Sequence, residues 1–237
     1  TEGEIKEAVS EFHPDLAVVH TTTPSIYNDI DFAGLTKEIC GCVTALIGPH
    51  VKVLTEDTFQ IAGDRADIIV RGEYDYTLRD VAAGRPWEEV DGISYRLDGE
   101  VHHNALRAPI ENLDELPFPA WHQIDIRDYH DAGKLHPFIT LISGRGCENS
   151  CSFCQFPQVM YGRKYRFRSP ELVVDEIEYD LRLFPYLKEV MFEDDTLTLL
   201  RHRDRLRAIC EEMLRRGIKL SWSANARVDL NDLETLR

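Results

Sequence analysis

Three cysteines fall within eight residues, Cys147, Cys151 and Cys154, in a Cys-x3-Cys-x2-Cys spacing. The apolar run Phe138-Ile-Thr-Leu-Ile-Ser143 leads into this loop, and a helix start at Ser169-Pro170-Glu171 follows it. A strand that hands three close thiolates to one loop is suited to holding a metal cluster. Structural zinc closes its shell with four ligands. A cubane iron–sulfur cluster on three cysteines leaves one iron open to an outside ligand. The spacing also departs from the ferredoxin patterns, which place a fourth cysteine nearby. Cys40, Cys42 and Cys210 lie elsewhere in the sequence and read as small buried hydrophobes. A zinc knuckle or a disulfide-bearing loop remains the bland alternative at this point.

The surrounding sequence alternates strand and helix patterns. Ser169 is a helix cap, Pro170 fits the first helical position, and Leu172, Val173, Ile177, Leu181 and Phe184 follow at helical spacing. Glu189-Val-Met-Phe192 reads as a strand ending in Glu193-Asp194-Asp195-Thr196. Arg201–Arg216 reads as a charged amphipathic helix, and Lys219–Ala224 as a third strand followed by Asn225-Ala-Arg227. A further element begins near Leu230. Such (β/α) repetition places polar residues at the carboxyl ends of strands, where barrel enzymes build their sites.

The first hundred residues repeat the theme. Helical spacing over Glu2–Phe12 precedes the strand Leu16–His20, the polar loop Thr21-Thr-Thr-Pro-Ser25 and a helix over Ile30–Ile39. Val43–Ile47 or Val51–Leu54 read as strand pieces around Gly48-Pro49-His50. Ala66–Val70 is another buried strand, with a helix running to Val81. The order predicts a parallel, doubly wound sheet. Val90–Val101 carries an Asp98-Gly99 turn and predicts an antiparallel hairpin at the edge of this domain. Residues 108–135, with Pro109, Pro117 and Pro119, predict an extended connector.

Charge narrows the partners. A formal net charge of −15 argues against wrapping nucleic acid or lying on an anionic membrane. No apolar run reaches membrane-span length, so an integral membrane protein is not expected. Cysteines without a disulfide framework predict a reducing, cytoplasmic setting. Arg145, Arg163, Lys164, Arg166 and Arg168 surround the cysteines as a basic cluster, either a solvated face or a counterweight to an anionic cluster and ligand. The histidines are scattered without a converging spacing.

The cysteine loop, with Phe153 just before the third cysteine, resembles the signature of radical S-adenosylmethionine (SAM) enzymes. The resemblance implies a [4Fe-4S] cluster on Cys147, Cys151 and Cys154, with SAM chelated at the open iron. It further implies reductive cleavage to a 5′-deoxyadenosyl radical and a flavodoxin- or ferredoxin-type electron donor. The family core is a partial (β/α)6 barrel, of which three strands are legible here. The segment from roughly Glu2 to Arg107 resembles the cobalamin-binding-type domain fused ahead of some of these enzymes. The expected organisation is therefore α/β: an incomplete doubly wound Rossmann-like domain over 1–107, a connector over 108–135, and the first half of the radical SAM barrel over 136–237. The chain looks cut at both ends.

The same resemblance assigns expected contacts. Phe153, Glu193, Asp194 and Arg227 are implied for SAM, with Asp195 capping the turn, although an acidic turn cluster and a surface arginine are the plain readings of those positions. Thr21, Thr22 and Gly48 are implied for a corrinoid, if one is bound. A literal Asp-x-His-x-x-Gly match at Asp128–Gly133 sits in the connector and is not preceded by the domain's first strand. Thr21–Ser25, Gly72–Thr77, the Leu116-Pro-Phe-Pro119 connector and Phe192–Thr196 look most like the hopanoid-lipid and anaerobic tetrapyrrole-cyclase branch. That branch implies a small, apolar substrate modified by C–H abstraction and then methylation, cyclisation or rearrangement. An iron–sulfur module without SAM chemistry, or a zinc-stabilised binding domain, is the alternative.

Overall fold

The computed structural model describes residues 2–227 and 229. Two compact units emerge: residues 1–110 with 158–161, and residues 111–157 with 162–237.

In the first unit, α1 (Glu2–Phe12) precedes β1 (Leu16–His20), α2 (Ile26–Cys40), β2 (Val43–Ile47), α3 (Pro49–Val53) and α4 (Thr55–Ala62). Then come β3 (Ile68–Val70), α5 (Asp75–Ala82), β4 (Ile93–Leu97) and β5 (Glu100–His103). The five strands lie in sequence order in one sheet. β1, β2 and β3 are parallel, and β4 and β5 are antiparallel to their neighbours. The hairpin thus continues the parallel sheet at its β3 edge. Its turn places Asp98 and Gly99 at φ 51° and 83°, the paired left-handed conformations that an Asp-Gly turn favours. Two buried clusters flank the sheet. One centres on Ile30, Leu46, Phe59 and Ile69, the other on Ala45, Ile68, Val90 and Ile93.

Of the two alternative strand pieces, Val43–Ile47 is β2, and Val51–Leu54 is helical up to Val53. Gly48 sits at φ 108°, a left-handed turn out of β2, and Pro49 then occupies the first helical position. That local geometry overrides the β-propensity of Val51 and Val53.

The second unit opens with the connector. It forms short 3-10 turns and is pinned by Leu113 and Ile126, both almost fully buried. β6 (Phe138–Leu141) leads to β7 (Gly144–Arg145), the cysteine loop, α6 (Phe156–Val159), whose last two residues count with the first unit, and β8 (Arg166–Phe167). α7 (Pro170–Leu183), β9 (Glu189–Phe192), α8 (Arg203–Arg215) and β10 (Ser221–Ala224) follow. β6, β9 and β10 form a parallel sheet in the order β10-β9-β6, and β7 pairs antiparallel with β8. Ile139, Leu141, Val173, Ile177, Val190, Phe192 and Ile209 fill the core between this sheet and α7 and α8. Each such side chain contributes roughly 1.5–3 kcal/mol on burial. The core fixes the strands, and the strands aim their carboxyl ends at one loop cluster. The element expected near Leu230 lies outside the described residues.

Candidate active site

The carboxyl ends of β6 and β9 converge on the root of the cysteine loop. Their last registered pair is Leu141 with Phe192, and the Glu193 amide donates to the Leu141 carbonyl at 2.9 Å, one step further. Beyond that point the acidic side chains take over from the ladder. Asp194, 1% exposed, accepts the Ser143 amide and the Ser143 hydroxyl, each at 2.7 Å, and the Tyr165 hydroxyl at 3.3 Å. The Gly144 amide also reaches Asp194, and the Gly146 amide reaches Asp195. Burial pushes both carboxyls above their usual range, opposed chiefly by these donors.

Two glycines make the loop's entry feasible. A Cβ on Gly144 would stand 2.5 Å from the Tyr165 hydroxyl oxygen. Gly146 has φ 91°, and a Cβ there would run into the Lys164 carbonyl.

All six cysteines are free, and those of the loop are half-buried. Asn149 Nδ2 donates to Cys147 Sγ at 3.3 Å, and Arg227 Nη1 to Cys151 Sγ at 3.0 Å. Arg163 Nη1 donates to the Asn149 carbonyl at 2.9 Å and so braces the loop from within. Donors aimed at sulfur stabilise thiolates and tune a cluster. Among the described residues, no three His, Cys, Asp or Glu side chains converge closely enough to hold one metal ion. A single ion, as in a zinc knuckle, needs such convergence, whereas a cluster in which each cysteine takes its own iron does not. Three free thiols from one loop, two of them receiving N–H donors, fit the cluster donor set. Cys210 packs against the core of its unit, and Cys42 is buried beside Cys40, its thiol raised to about 11 chiefly by burial.

Arg145, Arg166 and Arg168 of the basic cluster are buried, which removes the solvated-face reading for them. Arg168 pairs with Glu176 at 2.5 Å. Lys164 pairs with Glu111.

Of the residues implied for SAM, Phe153 is 90% exposed and Glu193 is exposed, whereas the Asp194 carboxylate is engaged inside the protein. Arg227 bridges Cys151 and the Asp229 carboxylate. Asp195, read from the sequence as a turn cap, keeps its Oδ2 buried with no hydrogen-bond partner among the described residues, and so do two groups that sequence reading passed over, Thr196 Oγ1 and Thr198 Oγ1. Buried polar atoms of this kind call for a ligand or a water. Arg205, in a helix that read only as amphipathic, donates to the Ser143 carbonyl at 2.7 Å, the Arg168 carbonyl at 3.0 Å and the Tyr165 hydroxyl at 3.3 Å.

In the first unit, Thr21 is fully buried and spends both its amide and its hydroxyl on the Ile47 carbonyl, at 2.8 and 2.7 Å. The Thr22 hydroxyl is shared with Ser25 at 2.8 Å. A Cβ on Gly48 would stand 2.5 Å from the Thr21 carbonyl oxygen, so glycine permits close approach of the two loops. His50 Nδ1 meets Thr23 Oγ1 at 3.1 Å. His130, in the literal Asp-x-His-x-x-Gly match, stacks on His136 with ring centroids 4.0 Å apart in the connector.

Comparison with known proteins agrees with this architecture. Residues 141–237 match the Radical SAM superfamily. An uncharacterized methyltransferase of Pyrococcus horikoshii is 30% identical over 235 residues, 97% of this chain and 50% of the relative. The anaerobic magnesium-protoporphyrin IX monomethyl ester cyclase of Rubrivivax gelatinosus is 30% identical over 242 residues, 96% of this chain and 41% of the relative. The chain thus spans about half the length of these curated relatives, or less. Among solved structures, the cobalamin-dependent SAM radical enzyme OxsB, with aqua-cobalamin and SAM bound, superposes with a TM-score of 0.76 at 24% identity, over 97% of this chain and 32% of that one. That likeness establishes the fold: a Rossmann-like unit followed by part of a radical SAM barrel.

Proposed function

We propose that the protein, whose residues 141–237 match the radical SAM superfamily, is an enzyme that reductively cleaves SAM and alters a small, apolar substrate. The observation that carries this reading is the loop of three free thiols on the carboxyl edge of a parallel sheet, with N–H donors on two of the sulfurs. Cys147, Cys151 and Cys154 would hold a [4Fe-4S] cluster. When bound, the cluster and SAM supply one-electron cleavage of the C5′–S bond.

This chain's own residues supply the setting. Arg227 places a cation against Cys151, which offsets the charge of an anionic cluster. Its Nε and Nη2 fork, a geometry that suits a carboxylate, holds Asp229 in this structure, and the SAM carboxylate would take that partner's place. Asp195, Thr196 and Thr198 offer unsatisfied polar atoms to the hydroxyls or ammonium of the same ligand. Glu193 and Phe153 are exposed, and are proposed to meet SAM from the rim. Methyl transfer, ring closure or rearrangement on a lipid, tetrapyrrole or other natural product would follow; the methyltransferase and cyclase relatives support methyl transfer and ring closure. In the first unit, the loops carrying Thr21, Thr22 and Gly48 end parallel strands, where open α/β sheets place their ligands. A corrinoid is the ligand proposed there.

Anaerobic reconstitution of the full-length protein tests the reading. About four irons per chain, held by three cysteines, and dithionite-dependent release of 5′-deoxyadenosine are expected. A cluster inert to SAM would turn the assignment to an electron-transfer or structural module, and stoichiometric zinc would overturn it. Loading with hydroxocobalamin, read by absorbance, tests the first unit separately.

A further inference from the structure

We propose that Asp194 is a positioning residue for the cysteine loop: it fixes the root of the loop and leaves ligand contact to its neighbours. The proposal rests on reading residues 141–237 as a cluster-bearing domain and adds to it what holds the cluster's loop in place.

The argument begins where the sheet ends. The ladder between β6 and β9 stops at Leu141 and Phe192, extended once by the Glu193 amide. The chain after β6 still has to reach Cys147 along a defined path, and its amides need acceptors. Asp194 provides them. One carboxylate oxygen takes the Ser143 amide at 2.7 Å, and the other takes the Ser143 hydroxyl at 2.7 Å and the Tyr165 hydroxyl at 3.3 Å. The Gly144 amide adds a fourth donor. An ionised carboxylate offers about four acceptor positions, so this one is saturated from inside the protein, at 1% exposure. It has no capacity left for an incoming ammonium or hydroxyl. Asp195 differs: it takes the Gly146 amide and keeps a buried, unpaired Oδ2.

The clamp closes on itself. Arg205 from α8 reaches the Ser143 carbonyl, the Arg168 carbonyl and the Tyr165 hydroxyl, and its guanidinium lies 5.1 Å from the centre of the Phe167 ring. Tyr165 is in turn fixed by its close approach to Gly144. One carboxylate, one phenol and one guanidinium thereby tie the segment before Cys147 to the segment after the loop, to the end of β9 and to α8. Groups that orient metal ligands from behind typically cost about 10- to 100-fold in metal affinity or activity when removed.

The test uses the full-length protein reconstituted with iron and sulfide, in the wild-type, Asp194→Ala, Asp194→Asn and Ser143→Ala forms. Iron per chain, the EPR line shape of the reduced cluster without SAM, and the kcat and KM for SAM cleavage are measured. Asp194→Ala is expected to lower iron content, to change the SAM-free spectrum and to reduce kcat about 10-fold or more, while the KM for SAM of the loaded fraction stays close to wild type. Asp194→Asn, which keeps an acceptor, is expected to lie between the two. If Asp194→Ala does not accumulate, Ser143→Ala, which removes one hydroxyl, carries the same spectral reading in milder form. A wild-type iron content and SAM-free spectrum with a raised KM would overturn the proposal by making Asp194 a ligand contact. A lower melting temperature with an unchanged spectrum would overturn it by making the network merely structural. A wild-type protein that takes no four-iron cluster would instead defeat the functional reading, before any variant is compared.

Discussion

Arg168, Glu176 and Asp180 form a buried charge group in the second unit, each at most 6% exposed. Glu176 takes the Arg168 ion pair, while both oxygens of Asp180 lack a hydrogen-bond partner among the described residues. Burial, with Glu176 adding to it and Arg168 opposing, raises the Asp180 carboxyl from 3.8 to about 8. Folded Asp180 therefore holds its proton up to about pH 8 and releases it near the ordinary value when unfolded. Across that window the folded state binds more protons, so this residue's contribution to stability falls as pH rises. Asp180→Asn is expected to flatten the dependence of the urea midpoint on pH between about 5 and about 8 and to raise the midpoint at the upper end. An unaltered pH profile would contradict the assignment. Gly144→Ala should act through sterics: its Cβ meets the Tyr165 ring, and overpacking of this kind costs about 1–3 kcal/mol and should lower the melting temperature. The cysteine loop was legible as a candidate site because the spacing of its thiols is local in sequence. The clamp around Asp194 was not, because Tyr165 and Arg205 meet it only through the fold. A run of three acids carries no sign of which one turns inward.

At the scale of elements, local signals were read most directly where chemistry sits at a chain reversal. Ser169 Oγ accepts the Leu172 amide at 3.4 Å, and Pro170 opens α7. Ser169→Ala is expected to cost about 1 kcal/mol, measurable as a lower denaturant midpoint with an unchanged m-value. The Asp98-Gly99 turn marked its hairpin equally well, although the sequence did not reveal that β4 would pair with β3. Strand-to-strand pairing is a tertiary choice, and alternation shows only that a strand has two faces. α3 escaped for the opposite reason. Val51 and Val53 favour strands, but a left-handed Gly48 and a proline behind it commit the backbone to a helical turn. The buried arginines Arg145, Arg166 and Arg168 show the same limit in electrostatics. A basic run reads alike whether it faces water or, as here, packs inside its unit.

At the scale of the molecule, each unit carries its own core, and a cavity should weaken the unit in which it is made. Ile69 and Ile177 are both fully buried, one in the first unit's sheet and the other on α7. Truncation to alanine at either site is expected to cost about 2–5 kcal/mol. The functional consequences should differ, because α7 packs on the strands that aim the cysteine loop, whereas Ile69 lies in β3 of the Rossmann-like sheet. Ile177→Ala should reduce the iron retained per chain after reconstitution of the full-length protein. On the proposed corrinoid site, Ile69→Ala should leave iron per folded chain near the wild-type value and reduce the corrinoid absorbance after loading. Calorimetry on both variants, paired with iron and corrinoid assays, checks the assignment. Loss of iron from the Ile69 cavity at full retention of corrinoid would reverse the roles given to the two units.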